Sequence, residues 1–146
     1  MGNVYAEITL KNAGDDINVK RGIISDKDVH SVSVTALVDT GAVSLVINED
    51  ICQKLGLETE CMRKATLADG SKVDCKITEP VRICWKNRDA VSQAVVLPAG
   101  NVLLGVIPLG FMDLIVDPVS EQLVGAHGDI ILLTSEVSVA AELART

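Results

Sequence analysis

Residues 31–42 read SVSVTALVDTGA, and this stretch decides the fold prediction for the chain. Apolar and small polar side chains alternate through residues 31–38, which is the period of a β-strand with one buried face. The strand ends in Asp39, which is followed by the small hydroxyl residue Thr40 and by Gly41. The pattern predicts a carboxylate at the end of a half-buried strand, on a loop whose glycine lets another strand pass closely.

The composition of the 146 residues agrees with a mostly β protein. Twenty Val, 12 Ile and 8 Thr favour strands, and because aromatic residues make up only 2% the core should be aliphatic. A chain of this length buries roughly two-thirds of its unfolded surface, so it needs no metal or disulfide to fold. We expect one domain over residues 1–129 and a C-terminal segment, residues 130–146, that is a helix or a flexible tail.

Charge and hydropathy exclude several classes of protein. The net charge of −7 and the absence of a Lys/Arg block argue against binding to nucleic acid and to anionic membranes. No apolar run reaches the roughly 18 residues of a membrane span, and no basic and apolar leader begins the sequence. These patterns predict a cytoplasmic protein.

Metal and cofactor chemistry is not expected. The cysteines form no C-x-x-C pair and only two histidines are present, so free thiols are favoured over disulfides or metal ligation. Asp113, Asp117, Asp129 and His127 are residue types that bind cations, so they are candidate ligands of a cation site. Their spacing is not that of an EF-hand loop, and solvated turn residues are the preferred interpretation.

Turn and cap signals divide the chain into short elements. Asn48 should cap a short helix that ends at Gly56, Asp69-Gly70 should form a two-residue hairpin turn, and residues 108–112 should form a helical turn. About ten short strands with one or two short helices predict a small closed β-barrel. The strand-like runs are residues 4–10, 17–24, 31–38, 44–47, 61–68, 72–78, 81–85, 90–97, 102–105, 114–116 and 122–124.

Four motifs together resemble the retropepsin-like (clan AA) aspartic peptidases. They are LVDTGA at residues 37–42, LVI at 45–47, LADG at 67–70 and LLG at 103–105. In order and spacing the chain is most similar to the small single-domain bacterial and archaeal members, over residues 35–125. The resemblance implies a retropepsin-like barrel of the acid protease type that is active as a symmetric dimer, because a single Asp-Thr-Gly supplies half of an active site.

The same resemblance implies a role for each motif residue. Asp39 would be catalytic, Thr40 would hydrogen-bond across the dimer axis, Gly41 would face the substrate backbone, and Ala42 would complete the loop. The flap would be Ala68, Asp69, Gly70 and Ser71, although Asp69-Gly70 is equally an ordinary hairpin turn. The residues that would pack behind the catalytic loop are Leu103, Leu104 and Gly105. They are core residues under either interpretation.

The chemistry gives an independent reason for a dimer. Metal-free amide hydrolysis needs one carboxylate to accept a proton from water and one carboxylic acid to polarise the carbonyl group. Two carboxylates held a few ångströms apart share a proton and so provide both. The prediction is therefore a homodimeric aspartic endopeptidase that cleaves an extended peptide. The alternative is a non-catalytic dimerisation or peptide-binding module of the same fold.

Three positions differ from the retroviral pattern. Retroviral members carry acidic residues where this chain has Val43 and Ser44, and commonly Arg where it has Val106. The sequence therefore predicts a dimer without the ion pairs that brace the retroviral ones.

Overall fold

The computed structural model describes residues 2–128, so the predicted C-terminal segment at residues 130–146 lies outside the described residues. Among these residues are three short α-helices, α1 (Ala13–Lys20), α2 (Glu49–Lys54) and α3 (Val106–Phe111), and one 3₁₀-helix (Asp26–Asp28). The first strands are β1 (Val4–Asn12), β2 (Ser31–Val38), β3 (Leu45–Asn48), β4 (Thr59–Thr66) and β5 (Lys72–Thr78). The remaining strands are β6 (Val81–Trp85), β7 (Arg88–Ser92), β8 (Ala94–Leu97), β9 (Leu103–Leu104), β10 (Leu114–Asp117) and β11 (Gln122–Gly125).

Nine strands form one curled sheet in the order β4-β5-β8-β3-β9-β2-β1-β6-β7, and β10 pairs with β11 in a separate ribbon. The mostly β class is confirmed. Within the described residues β4 and β7 are the edge strands of the sheet, so closure into a barrel is not confirmed.

The core is aliphatic, as predicted, because alternate residues of the strands point into the fold. Along β1 every second side chain is buried, and its partner β2 runs antiparallel with Ala6 opposite Ala36. On β2, Ala36 is fully buried and Val34 packs against the core, as the alternation predicts. The largest fully buried side chains include Leu10, Leu45, Ile47, Leu55, Ile83, Leu104 and Met112.

The predicted strand at residues 17–24 is wrong, because its first half belongs to α1 and residues 21–24 form a turn and bend. The Asn12 side chain caps this helix by accepting a hydrogen bond from the Asp15 backbone N–H at 3.2 Å. Acidic residues in the first turn and Lys20 in the last turn complement the helix dipole. Capping and charge placement therefore outweigh the β-branched residues of this run.

Two further local predictions need correction. Residues 90–97 form two strands, since the chain leaves β7 at Gln93 and enters a different part of the sheet as β8. The preceding hairpin turns through two residues, 86 and 87, with Lys86 at φ 50° and Trp85 paired with Arg88. The predicted cap on α2 is confirmed, because Asn48 Oδ1 accepts from the Ile51 N–H at 2.9 Å.

All four cysteines are free thiols. Cys52 and Cys75 are buried, whereas Cys61 is exposed. Burial raises the pKa of the Cys52 thiol, with a further contribution from the nearby Glu49 carboxylate. Within the described residues no helix has the length and hydropathy needed to cross a bilayer.

Candidate active site

The Asp-Thr-Gly loop begins where β2 ends. The Asp39 backbone N–H donates to the Leu104 carbonyl at 3.0 Å, which continues the parallel pairing of β2 with β9. The half-buried carboxylate accepts a hydrogen bond from the Gly41 N–H at 2.8 Å, and the Ala42 N–H donates to the Asp39 carbonyl at 3.1 Å. These bonds turn the chain sharply and leave the carboxylate at the loop surface.

Strand β9 lies directly behind this loop, between β2 and β3. Leu103 and Leu104 pair with both neighbours, so the two strands that enter and leave the loop are joined through β9. Gly105 then passes under the loop, where a Cβ atom would lie 2.5 Å from the Ser44 carbonyl oxygen and 2.6 Å from that of Ala42. The N–H groups of Val106 and Ile107 donate to the Ala42 and Val43 carbonyls at 3.0 and 2.9 Å.

The second motif lies at the tip of the β4–β5 hairpin. Its turn has three residues rather than two, because the Gly70 N–H donates to the Leu67 carbonyl at 2.9 Å and the Leu67 N–H donates to that of Ser71. Gly70 has φ +86°, the left-handed conformation that glycine adopts most readily. The Ser71 hydroxyl and N–H donate to Asp69 Oδ1 at 2.6 and 2.9 Å and hold the pKa of that carboxyl below its usual value.

A cleft of about 600 Å³ separates this hairpin from the Asp-Thr-Gly loop. Asp39, Gly41 and Ala42 line one side of it, and residues 65–68 of the hairpin line the other. Ala68 therefore borders the cleft, whereas Asp69, Gly70 and Ser71 lie beyond it at the hairpin tip. The floor is formed by side chains of β3, β8 and β9, among them Val46, Val95, Leu97 and Leu103.

A second cavity of about 380 Å³ continues the cleft away from Asp39, with Val43, Ser44, Ala65 and Val95 bordering both. Its other lining residues come from β4, β5 and the break between β7 and β8. Sequence reasoning missed this cavity, because it depends on the pairing of β5 with β8. The break at Gln93 gave no local signal of it, because the alternation continues on both sides of the break.

On the opposite side of the loop, Thr40 is exposed and borders a shallow apolar depression formed by α3 and β10. None of the described residues makes a hydrogen bond with its hydroxyl group. Helix α3 carries no charged residue, and Val106, Ile107 and Phe111 are 42%, 49% and 63% exposed. The exposed part of this helix is therefore almost entirely apolar.

Arg88, which is 5% exposed, holds the end of α3 against the sheet. Its Nη1 donates to the Met112 and Asp113 carbonyls, both at 2.8 Å, and its Nη2 donates to Gly128. The sequence analysis left this arginine between the predicted strands at residues 81–85 and 90–97, where a buried role has no local signal.

The candidate cation ligands have structural partners instead. The Asp113 carboxylate contacts His127 Nδ1 at 2.6 Å. Asp117 accepts from the Val119 N–H and the Ser120 hydroxyl at 3.0 Å each, and these bonds lower its pKa. Asp129 lies outside the described residues. Within residues 2–128 no three His, Cys, Asp or Glu side chains are grouped to hold a metal ion.

Comparison with known proteins supports the motif-based interpretation. A family model described as "Aspartyl protease" matches residues 25–107, which is more than half of the chain. This range contains β2, the Asp-Thr-Gly loop, the β4–β5 hairpin and β9. No curated protein matches the sequence. The extent of the family match shows that this chain belongs to the aspartyl protease family.

Proposed function

We propose that this chain is one protomer of a homodimeric aspartic endopeptidase, in which two Asp39 carboxylates activate a water molecule to hydrolyse a peptide bond. One observation carries the proposal. Asp39 is the sole acidic residue among the described residues that line the cleft between the catalytic loop and the β4–β5 hairpin. Its carboxylate therefore lies where an extended peptide would pass.

The reaction requires a second carboxyl group. The ionised member of the pair accepts a proton from water as the water oxygen attacks the carbonyl carbon, and the protonated member donates to the carbonyl oxygen. Collapse of the tetrahedral intermediate returns a proton to the amide nitrogen as the C–N bond breaks. Since the cleft of one chain holds one carboxylate, a two-fold axis beside Asp39 supplies the other from a second copy.

The surface around the loop supports such a dimer. We call the exposed apolar side chains of Val43, Val106, Ile107, Phe111 and Ile115 the α3 patch; their exposed fractions run from 42% to 67%. Contiguous apolar surface of this kind is typical of protein interfaces. It adjoins Thr40, and in the proposed dimer the Thr40 hydroxyl hydrogen-bonds across the axis. Apolar contact takes the place of the ion pairs of the retroviral dimers.

The β4–β5 hairpin is proposed as the flap. Only Lys76 and Ile77 of β5 pair with β8, so the rest of the hairpin extends beyond the sheet and over the cleft. Hairpin residues 65–68 and Asp39 line the same cleft. An extended peptide between them can hydrogen-bond to the backbone on either side, which is how sheet-adding recognition works.

The cytoplasm is the proposed location. Free thiols persist in reducing compartments, and all four cysteines are free even though Cys61 is exposed.

The decisive test is the Asp39→Asn variant, assayed for cleavage of a peptide library at acidic to neutral pH. We expect cleavage to fall to background while the dimer persists in sedimentation velocity. Asp50→Asn is the matched control, since Asp50 is an exposed residue of α2 that pairs with Lys54 at 3.0 Å. Cleavage by Asp39→Asn at the wild-type rate would refute the mechanism. A wild-type dimer that binds peptides and cleaves none would indicate the binding module.

A further inference from the structure

The second cavity extends the substrate cleft along the flap, as the four shared bordering residues show. An extended peptide advances about 3.3 Å per residue. A peptide held above Asp39 by the flap would therefore reach the second cavity within a few residues. The chemistry of this cavity therefore acts on side chains a few residues away from the scissile bond.

Among the described residues, Arg63 and Lys64 are the charged residues that line this cavity, and Arg63 is the one that none of residues 2–128 pairs with. On β4 it is opposite Cys75 of β5 and two residues before Ala65, so these three lie on the same face of the hairpin. Cys75 is 2% exposed and Ala65 borders both cavities, which identifies this face as the one turned towards the cleft.

The guanidinium of Arg63 is not neutralised within the described part of the chain. None of residues 2–128 forms an ion pair or side-chain hydrogen bond with it. The neighbouring cation, Lys64, differs in this respect, because its Nζ lies 3.5 Å from Asp74 Oδ1.

No Asp or Glu among residues 2–128 lines the second cavity, although the whole chain carries a net charge of −7. Its uncharged polar lining consists of Ser44 and, at the break between β7 and β8, Ser92 and Gln93. A guanidinium beside an amide and a hydroxyl group suits a carboxylate, which accepts two parallel hydrogen bonds from arginine. Close to Asp39, by contrast, a substrate carboxylate would meet like charge.

We propose that the second cavity is a specificity subsite in which Arg63 selects peptides carrying an acidic side chain a few residues from the scissile bond. The proposal rests on the proposed function, because it assigns a substrate class to that same cleft. In a symmetric dimer the two-fold axis places one such subsite on each side of the bond. Acidic residues are therefore preferred on both the amino and the carboxyl side of the cleaved bond.

The test compares matched peptides with Glu or Gln at the position that library cleavage identifies. For the wild-type dimer we expect kcat/KM to be about tenfold higher for the Glu peptide, the size of a hydrogen bond to a charged group. The preference should shrink as salt is raised, because this subsite is partly exposed.

Three variants separate charge recognition from a structural effect. Arg63→Gln should lower kcat/KM for the Glu peptide much more than for the Gln peptide, so that the Glu preference is lost, and Arg63→Lys should keep part of the preference. Lys72→Gln is the control, since Lys72 lies on the same hairpin and borders neither cavity. Equal cleavage of both peptides by the wild type, or an equal loss on both with Arg63→Gln, would overturn the subsite.

Binding to the Asp39→Asn variant keeps this proposal separate from the catalytic one. Fluorescence anisotropy should show tighter binding of the Glu peptide than of the Gln peptide, again by about tenfold and again dependent on Arg63. If no peptide is cleaved by the wild type but this Arg63-dependent difference persists, the mechanism fails and the subsite stands. If peptides are cleaved and the difference is absent, the subsite fails and the mechanism stands.

Discussion

Gly105→Ala is the sharpest test of how the catalytic loop is held in place. The backbone of Gly105 has φ −92° and ψ −176°, an extended conformation that alanine adopts freely, so the cost lies in space alone. The added Cβ would meet the Ser44 and Ala42 carbonyl oxygens at 2.5 and 2.6 Å and the Val43 carbonyl carbon at 2.8 Å. All three are backbone atoms, so the loop itself must move.

We expect two separable effects of this methyl group. Overpacking of this kind costs about 1–3 kcal/mol of the free energy of unfolding, equivalent to a fall in Tm of roughly 3–9 °C for a domain of this size. A shift of the loop by about 1 Å would also misplace Asp39, and misplacement on that scale lowers kcat/KM by about 100-fold. Thermal melts at fixed protein concentration and peptide cleavage well below Tm measure the two effects.

Val81→Ala is the matched control for stability. Val81 is fully buried on β6, outside the lining of the cleft, so its truncation should cost about 1–3 kcal/mol of unfolding free energy and leave kcat/KM unchanged. If Gly105→Ala melts within about 1 °C of the wild type and cleaves peptides normally, the loop does not cross Gly105 as closely as described. If both variants lose activity alike, the loss reflects general destabilisation.

Three further predictions concern the dimer, a helix cap and the flap turn. Ile107→Asp, which places a charge on the α3 patch, should shift the sedimentation coefficient to that of a monomer and abolish cleavage, with an unchanged far-UV CD spectrum; a stable, active dimer would refute the interface. Asn48→Ala removes the side-chain oxygen that accepts a hydrogen bond from the Ile51 N–H at the start of α2. The free energy of unfolding, measured by urea titration, should fall by about 1 kcal/mol. Ser71→Ala should raise the pKa of Asp69 towards its ordinary value in an NMR titration. Because the pKa of Asp69 is depressed in the folded chain, the Ser71 hydrogen bonds stabilise the turn fully at pH values above the unfolded pKa. This stabilisation is lost as the pH falls through the folded pKa. An Asp69 titration that is the same in Ser71→Ala and in the wild type would contradict this prediction.

Local prediction succeeded where one physical signal dominated. The alternation along β2 predicted which of its side chains are buried, and Asn48 predicted the start of α2. It failed at residues 17–24, where β-branched residues suggested a strand and the Asn12 cap favours a helix. It also failed at Gln93. The chain moves there from β7 at one edge of the sheet to β8 in another part of it, and this move does not alter the local alternation of buried residues.

The sequence by itself determined the half-buried strand, the Asp-Thr-Gly loop at its end and the glycine-containing hairpin, because each depends on residues close in the chain. Tertiary structure alone decided that β9 lies between β2 and β3 and that Gly105 passes under the loop. It also decided that Arg63 lines an extension of the same cleft. The physical reason is that these arrangements depend on strand pairings between distant residues. Such pairings are selected by packing of the whole sheet and leave no periodic signal in the segments that make them.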